Sequence, residues 1–407
     1  MTAPLTYAEL FAGAGGLSMG LEAAGFVCAA HAEIDPHARA VLRHHWPDTR
    51  LDGDVAEIDG HDYTGVTLIS GGSPCQDLSL AGRRAGLKGE RSGLFYEQVR
   101  LWRESGAPYL LWENVSGALN SNNGRDFAAV LSALVGAAIA VPSDGWRSGG
   151  VAAGRDAVAA WRVLDLQHFG PPQRRTRVFV LAARNGGVDP AEVLALSEGV
   201  CRHPSPREAQ EASASGARAA GVDAGGAGGA PEGSCCWNCA HGVVEAPEDE
   251  HPVDLFFTGR VQELVLRCSH PDSRYADARV DPAALCAWFE DDREQDEDIV
   301  VARMVAFGEY TIDGTASCIK QRDYKDATDL VINGRPRRLT PRECEKLMSW
   351  EPDHTRYGTR EDGTVYELSD TARYQLCGNG VGSVCVQWIA ERLTTAINNS
   401  MMEALHE

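Results

Sequence analysis

A glycine-rich turn between an apolar strand and an amphipathic helix is the feature that most constrains the fold of this chain. Leu5 to Phe11 are predicted to form a strand, and Phe11-Ala12-Gly13-Ala14-Gly15-Gly16-Leu17 follows it directly. A helix then runs to Gly25, a residue type that commonly ends helices. This arrangement lets a helix N-terminus approach a nucleotide-like ligand closely. The spacing Gly-x-Gly-Gly falls short of the full dinucleotide fingerprint, so the glycines alone are weak evidence for a ligand.

Two acidic residues follow the next strands at positions suited to a nucleoside. An acidic residue about 20 positions after such a turn commonly binds a ribose, and Glu33 occupies that place after the apolar strand Phe26 to Ala30. Asp54, in Gly53-Asp54-Val55, is placed to meet an adenine edge. An ordinary surface turn explains Asp54 equally well.

A cysteine lies in a second glycine-containing turn. The apolar run Val66-Thr67-Leu68-Ile69 predicts a short buried strand, and Gly71-Gly72-Ser73-Pro74-Cys75-Gln76 follows at the edge where α/β sheets bind ligands. Most free cysteines are small buried hydrophobes, but a thiolate stabilised by positive charge is a nucleophile. A further strand, Tyr109 to Trp112, brings Glu113 to the same edge, where a carboxylate can act as an acid or a hydrogen-bond partner.

Several separate motifs recur along the chain in one order. They are Phe-x-Gly-x-Gly-Gly, Gly-Gly-x-Pro-Cys-Gln, Glu-Asn-Val, Gln-Arg-Arg-x-Arg and a late Gly-Asn. This order resembles the DNA (cytosine-5)-methyltransferase family, over residues 5–184 and 335–395. The resemblance implies an α/β, Rossmann-like sheet that binds S-adenosylmethionine, with a second, smaller β-rich target-recognition domain. It also implies double-stranded DNA as the substrate and a target cytosine flipped out of the duplex.

The resemblance assigns a role to each matched residue. Cys75 would attack carbon 6 of cytosine and Glu113 would bond ring nitrogen 3, while Arg175 and Arg177 would hold the target base and its backbone. Asn114 is expected to fix the loop geometry. The implied cofactor-binding residues are Phe11, Gly13, Gly15, Gly16, Leu17, Glu33, Ile34, Asp54, Val55, Leu94, Asn379 and Val381. The glycine-rich, basic loop after Cys75 would close over the DNA and contact it through Gln76, Ser79, Arg83, Arg84 and Arg91.

Three positions depart from the family pattern. Many relatives have an aromatic residue in place of Ser73, an acidic residue near Gly89 and serine in place of Gly380. None of these changes removes a reacting group, so activity is expected.

The motifs and the composition divide the chain into four parts. Residues 1–184 are predicted to form the catalytic, cofactor-binding domain, and residues 185–337 the target-recognition region. That region contains a linker rich in Ala, Gly and Ser at about residues 209–234. Residues 338–373 would form a small-domain scaffold, and residues 374–407 a C-terminal segment that completes the catalytic domain. Thr340, Pro341 and Glu343 carry the pattern of a helix capping box.

Cysteines and charge limit the remaining functions. Cys236, Cys239, Cys268 and Cys286 resemble a zinc knuckle within residues 235–290, although their spacing is wider than usual and reduced structural cysteines explain them equally well. The net charge of −20 argues against a protein that coats nucleic acid non-specifically, but it permits a local basic cleft. No apolar window suggests a membrane span, so a soluble, cytoplasmic protein is expected. A monomer is expected as a separate prediction.

Three other functions compete with DNA methylation. An RNA cytosine-5 methyltransferase would use the same cysteine and glutamate, but the long insert with cysteines favours a DNA-reading enzyme. A zinc-containing DNA-binding protein without catalysis would not need Cys75 and Glu113. A nicotinamide oxidoreductase rests on the glycine turn alone. A restriction endonuclease partner, an orphan role and a phage protective role all stay open.

Overall fold

The computed structural model describes residues 4–74, 93–195 and 338–406, together with shorter pieces between residues 242 and 337. Among the described helices, none is long and apolar enough to cross a membrane.

A mixed eight-stranded sheet forms the centre of the molecule, in the order β3-β2-β1-β4-β5-β8-β7-β6. Its strands are β1 (Thr6–Leu10), β2 (Val27–Ala32), β3 (Arg50–Asp52), β4 (Leu68–Gly71), β5 (Tyr109–Val115), β6 (Gly149–Ala153), β7 (Ala157–Asp165) and β8 (Thr176–Arg184). The neighbouring pairs β3–β2, β2–β1, β1–β4 and β4–β5 are parallel. The pairs β5–β8, β8–β7 and β7–β6 are antiparallel. The predicted α/β class is therefore confirmed.

Helices cover both faces of this sheet. They are α1 (Gly16–Ala23), α2 (Pro36–His45), α3 (Leu94–Ser105), α4 (Arg125–Val135), α5 (Pro190–Val193), α6 (Pro341–Leu347), α7 (Asp370–Asn379) and α8 (Ser383–His406). One buried apolar cluster includes Trp102, Trp112 and Phe127. A second joins Leu17 of α1 to Ile389 of α8, so the end of the chain packs against its beginning. Strands buried on both faces need such apolar runs, which is why the sequence predicted β1, β2, β4 and β5.

The described pieces of residues 242–337, the part predicted to recognise the target, include two small antiparallel sheets. One contains β9 (Gly242–Glu245), β10 (Val265–Cys268) and β11 (Ala278–Arg279), and the other β12 (Val300–Ala306), β13 (Glu309–Thr311), β14 (Leu330–Asn333) and β15 (Arg335–Arg337). A hairpin of β16 (Tyr357–Thr359) and β17 (Val365–Glu367) packs on α2. The division into domains stays a prediction.

The predicted capping box is confirmed. Thr340 accepts a hydrogen bond from the amide of Glu343, whose carboxylate accepts one from the amide of Thr340. Further along the chain, Tyr374 belongs to α7, and a break separates this helix from α8, which begins at Ser383. The break places Val381 against α1: a Cβ on Gly16 would lie 2.7 Å from the carbonyl oxygen of Val381.

A buried carboxyl group on β1 caps the helix that follows the glycine turn. Glu9 is 1% exposed, and its Oε2 accepts hydrogen bonds from the amide of Ser18, at 2.9 Å, and from the Ser18 hydroxyl. The residue at the N-cap of α1 is Gly15, which offers no side chain for this purpose. Burial raises the pKa of Glu9 to about 8 and lowers that of the adjacent His31 to about 4. Both side chains are therefore neutral near pH 7.

The raised pKa of Glu9 makes the stability of the protein depend on pH. The stabilisation that neutral Glu9 adds to the free energy of unfolding is fully present below its unfolded-state pKa near 4.5. It is lost as the pH rises through about 8. Glu9→Gln keeps an acceptor for Ser18 without a titrating proton. We expect the wild type to lose on the order of 3 kcal/mol more than Glu9→Gln between about pH 5 and about pH 9, measured by urea unfolding. Equal losses in both proteins would contradict the buried neutral acid.

Candidate active site

A cavity of about 530 Å³ opens where the parallel strands of the sheet end. The carboxyl ends of β1, β2, β4 and β5 all contribute to it, as expected for the ligand edge of an α/β sheet. Of the predicted cofactor residues, eight line it: Phe11, Gly13, Glu33, Ile34, Asp54, Val55, Leu94 and Asn379. The predicted catalytic residues Glu113, Arg175 and Arg177 line it as well. A larger, more open groove of about 790 Å³ between α3 and α4 contains none of the predicted site residues.

Glu33 connects the glycine turn to the end of β2. Its Oε2 accepts a hydrogen bond from the amide of Gly13 at 2.7 Å, and its Oε1 accepts two from the amides of Ile34 and Asp35, each at 2.8 Å. A carboxylate has about four acceptor positions, so three backbone donors leave room for another partner. Glu33 thus shapes the cavity wall as well as lining it.

The rim of the cavity near Glu33 is apolar and partly strained. Ile34 is 70% exposed there. Phe11 has a left-handed backbone with φ of 56°, which side-chain-bearing residues rarely adopt and which often marks functional sites. Asp54 uses Oδ1 to accept the amide of Ala56 at 2.9 Å and so caps a short helical turn. Its expected adenine contact stays a prediction.

Four predicted cofactor residues do not line the cavity. Leu17 and Val381 are buried in the core that joins α1 to α8. Gly15 faces the indole of Trp46, which would lie 2.5 Å from a Cβ at that position. Gly16 faces the backbone of Val381 in the same way. These residues support the turn from behind because the cavity lies on its other side.

Glu113 and Arg177 form a buried ion pair at the end of β5. Glu113 is 7% exposed, and Nε of Arg177, on the antiparallel strand β8, lies 3.1 Å from its Oε1. The contact is not aligned as a hydrogen bond, and Oε1 accepts none from the described part of the chain. Burial raises the pKa of Glu113, while the charges of Arg177 and Arg175 oppose the shift. A Cβ on Gly72 would lie 3.1 Å from Oε2 of Glu113, so this glycine leaves space for the carboxyl group.

The loop that leads to Cys75 is held by the strand that carries Glu113. Asn114 donates from Nδ2 to the carbonyl oxygen of Ser73 at 2.8 Å, so it fixes the loop as predicted. Trp112 donates from Nε1 to the Ser73 hydroxyl at 3.0 Å. Pro74, the last described residue of this loop, lines the cavity.

Other predicted residues lie outside the described part of the chain. They are Cys75 itself, the DNA-contacting residues Gln76, Ser79, Arg83, Arg84 and Arg91, and the zinc candidates Cys236, Cys239 and Cys286. Cys268 lies on β10, where the side chains are not described. The roles predicted for all of them stay predictions.

The guanidinium group of Arg175 donates to backbone carbonyl groups, and the role predicted for it at a base stays a prediction. It donates to the carbonyl oxygens of Ile319 at 3.1 Å, Gly378 at 3.3 Å and Gly380, and Nη1 lies 3.3 Å from Sγ of Cys318. At 3% exposure it borders the cavity as a support of its wall. Five donors in a planar fork suit such multiple contacts. Contact with a base stays a prediction for Arg177 and is less suited to Arg175.

Sequence reasoning missed Gln173 as a structural residue. It is fully buried, donates from Nε2 to the carbonyl oxygen of Leu347 at 2.8 Å, and accepts at Oε1 from the amide of Ile319 at 3.2 Å. It therefore joins the loop before β8 to two distant segments. Its place in the Gln-Arg-Arg-x-Arg motif was the available signal, but the motif does not reveal partners this far along the chain.

A family model for the C-5 cytosine-specific DNA methylase matches residues 5–198. The M.AquIA type II methyltransferase of Picosynechococcus is 33% identical over 187 residues, which cover 44% of this chain and 71% of that protein. The M.Eco47II type II methyltransferase of Escherichia coli is 35% identical over 188 residues, 45% of this chain and 40% of that protein. This chain belongs to the C-5 cytosine-specific DNA methylase family.

Two further comparisons extend over nearly the whole chain. A protein of Escherichia phage P1, named DNA N-6-adenine-methyltransferase, is 26% identical over 516 aligned residues, 97% of this chain and 61% of that protein. The crystal structure of the Dnmt2 methyltransferase of S. pombe superposes with a TM-score of 0.52 at 14% identity, covering 97% of this chain and 99% of that one. The latter likeness shows a shared fold. The chain spans 61% and 40% of the lengths of the phage P1 protein and M.Eco47II.

The hydrogen bonds of Arg175 predict a large loss of stability when its guanidinium group is replaced. Arg175→Lys keeps the charge but cannot reach three carbonyl groups, which would leave buried acceptors unsatisfied. We expect the free energy of unfolding to fall by about 2–4 kcal/mol, measured by urea denaturation. Arg50→Lys, in a half-exposed ion pair with Asp52, is the control and should cost less than about 1 kcal/mol. Equal effects of the two substitutions would contradict the role of Arg175.

Proposed function

We propose that the protein is a DNA (cytosine-5)-methyltransferase that transfers a methyl group from S-adenosylmethionine to carbon 5 of cytosine in duplex DNA. The observation that carries this proposal is one cavity that holds both the Glu113–Arg177 pair and the glycine turn with Glu33. Family membership supports the same reaction. The cavity therefore offers a place for the cofactor next to a place for the base.

The residues at the cofactor end fit S-adenosylmethionine. The volume of about 530 Å³ lies within the usual range for ligand pockets. Glu33 retains acceptor capacity for ribose hydroxyls, and the exposed Ile34 offers an apolar surface for the adenine ring. Asp54 keeps Oδ2 for the adenine amino group, since its hydrogen bond to Ala56 uses Oδ1. When bound, S-adenosylmethionine supplies an electrophilic methyl group.

At the other end, Glu113 and Cys75 would share the chemistry of the base. The thiolate of Cys75 would add to carbon 6, which makes carbon 5 enamine-like and nucleophilic. Burial raises the pKa of Glu113 against the opposing charges of Arg177 and Arg175, which lowers the free-energy cost of protonating this carboxylate; the protonated group would donate to ring nitrogen 3 as charge develops there. After carbon 5 has gained the methyl group, loss of its proton and cleavage of the sulfur–carbon bond would release the product.

The DNA would be held mainly by the basic loop after Cys75 and by Arg177. A flipped base costs a few kcal/mol of unstacking, and the loop is expected to fill the gap that the base leaves. The bacterial type II methyltransferases among the relatives support a role in restriction and modification, with orphan and phage protective roles as alternatives. A monomer and a structural zinc held by Cys236, Cys239, Cys268 and Cys286 belong to the same proposal.

A second candidate is methylation of adenine on its exocyclic amine. The name of the phage P1 relative favours it. That reaction needs no thiol nucleophile, because an amine attacks the methyl group directly. The two candidates therefore differ in their dependence on Cys75 and in the modified nucleoside.

Nucleoside analysis of DNA from cells that express the protein distinguishes these candidates. We expect mass spectrometry to find 5-methylcytosine and bisulfite sequencing to locate it in one short sequence context. Cys75→Ser should abolish the product, because a hydroxyl is a far weaker nucleophile at neutral pH. Cys28→Ser, on β2 beside His31, is the matched control and should leave the product intact. N6-methyladenine in place of 5-methylcytosine, or undiminished product in Cys75→Ser, would contradict the proposal.

A further inference from the structure

Trp350 occupies the space between the beginning and the end of the chain, behind the cavity. Its ring lies next to Gly16 of α1, where a Cβ would be 3.2 Å from Cζ2 of the indole. The same ring lies against Gly380, where a Cβ would clash with it. Trp350 is 3% exposed and does not line the cavity.

Hydrogen bonds hold Trp350 in this position. Its Nε1 donates to the carbonyl oxygen of Val381 at 2.9 Å. Ser383 donates from its amide to the carbonyl oxygen of Met348 at 3.1 Å and from its hydroxyl to that of Ser349 at 2.6 Å. Ser349 has φ of 59°, a left-handed conformation that turns the chain after α6. The segment that carries the indole is therefore joined directly to the start of α8.

Both walls of the cofactor cavity are connected to the residues that touch Trp350. Gly378 and Asn379 line the cavity and immediately precede Gly380. Gly13 lines it in the turn that ends at Gly16. A shift of the indole would therefore move one wall relative to the other, since packed interiors transmit such changes.

We propose that Trp350 is a positioning residue of the cofactor cavity and that Gly380 lacks a side chain because the indole fills its place. This inference rests on the proposed function, since it assigns the cavity to S-adenosylmethionine. It also accounts for the departure at position 380, where many relatives have serine. In this chain a serine there would overlap the indole.

A double-mutant cycle tests the matched pair. The full-length protein is titrated with S-adenosylmethionine by calorimetry, without DNA, for Gly380→Ser, Trp350→Leu and the double variant. We expect each single change to weaken binding about tenfold, because overpacking and cavity formation both displace the wall. The double variant should bind within about threefold of Trp350→Leu, since a smaller residue at 350 makes room for the serine. Trp388→Leu, an indole of α8 that packs on Phe169, is the control and should bind like the wild type.

Steady-state kinetics separates positioning from general loss of structure. The KM for S-adenosylmethionine should rise in both single variants, while kcat and the KM for DNA stay within about twofold. The proposal would be overturned if the fold loss of S-adenosylmethionine affinity in the double variant equals the product of the fold losses in the single variants. Wild-type affinity in Gly380→Ser would overturn it as well. A wild type that binds no S-adenosylmethionine would instead refute the proposed function, and with it this inference. Thermal unfolding of the unliganded proteins gives a second measurement. If the indole and the serine compete for one space, the double variant should lose less stability than the sum of the losses in the two single variants.

Discussion

The buried contact between Glu113 and Arg177 is the interaction on which the rest of the site depends. A carboxyl group with 7% exposure is unfavourable as an anion unless a positive charge lies beside it. The sheet supplies that charge by reversing direction between β5 and β8, which brings Arg177 next to Glu113. Gly72, at the end of β4, leaves the space that the carboxyl group fills. Three neighbouring strand ends thus determine where this buried ion pair lies.

The other half of the cavity is assembled from segments far apart in the chain. Arg175 connects the loop before β8 to the backbone of Ile319 and Gly378, and Gln173 connects that loop to Leu347. The last helix returns to α1, so the glycine turn is supported by residues more than 300 positions away. A cavity built in this way forms only when segments near both ends of the chain have folded together.

Local patterns predicted the elements that local forces determine. Short apolar runs and turn residues predicted the glycine turn, four strands of the sheet, the capping box at Thr340 and the position of Glu113 at a strand end. The approach of Glu33 to the same cavity as Glu113 also followed from strand order. These features need only a few neighbouring residues to be specified.

Long-range contacts determined what the sequence did not reveal. The carbonyl partners of Arg175 lie in segments whose approach no spacing predicts, and the break between α7 and α8 reflects the fit of Val381 on Gly16. The family resemblance implied that Leu17 binds the cofactor, but helix α1 turns its side chain into the core. The raised pKa of Glu9 likewise depends on burial by residues distant in sequence.

Covalent trapping tests the central claim most directly. The experiment uses duplex DNA in which fluorine replaces the hydrogen on carbon 5 of the target cytosine. Because no proton can then leave carbon 5, the adduct between sulfur and carbon 6 should accumulate. With S-adenosylmethionine present, the account predicts a protein–DNA complex that survives denaturing electrophoresis and whose cross-linked peptide contains Cys75. A protein that binds this DNA but forms no such complex, or that forms it through another residue, would contradict the account.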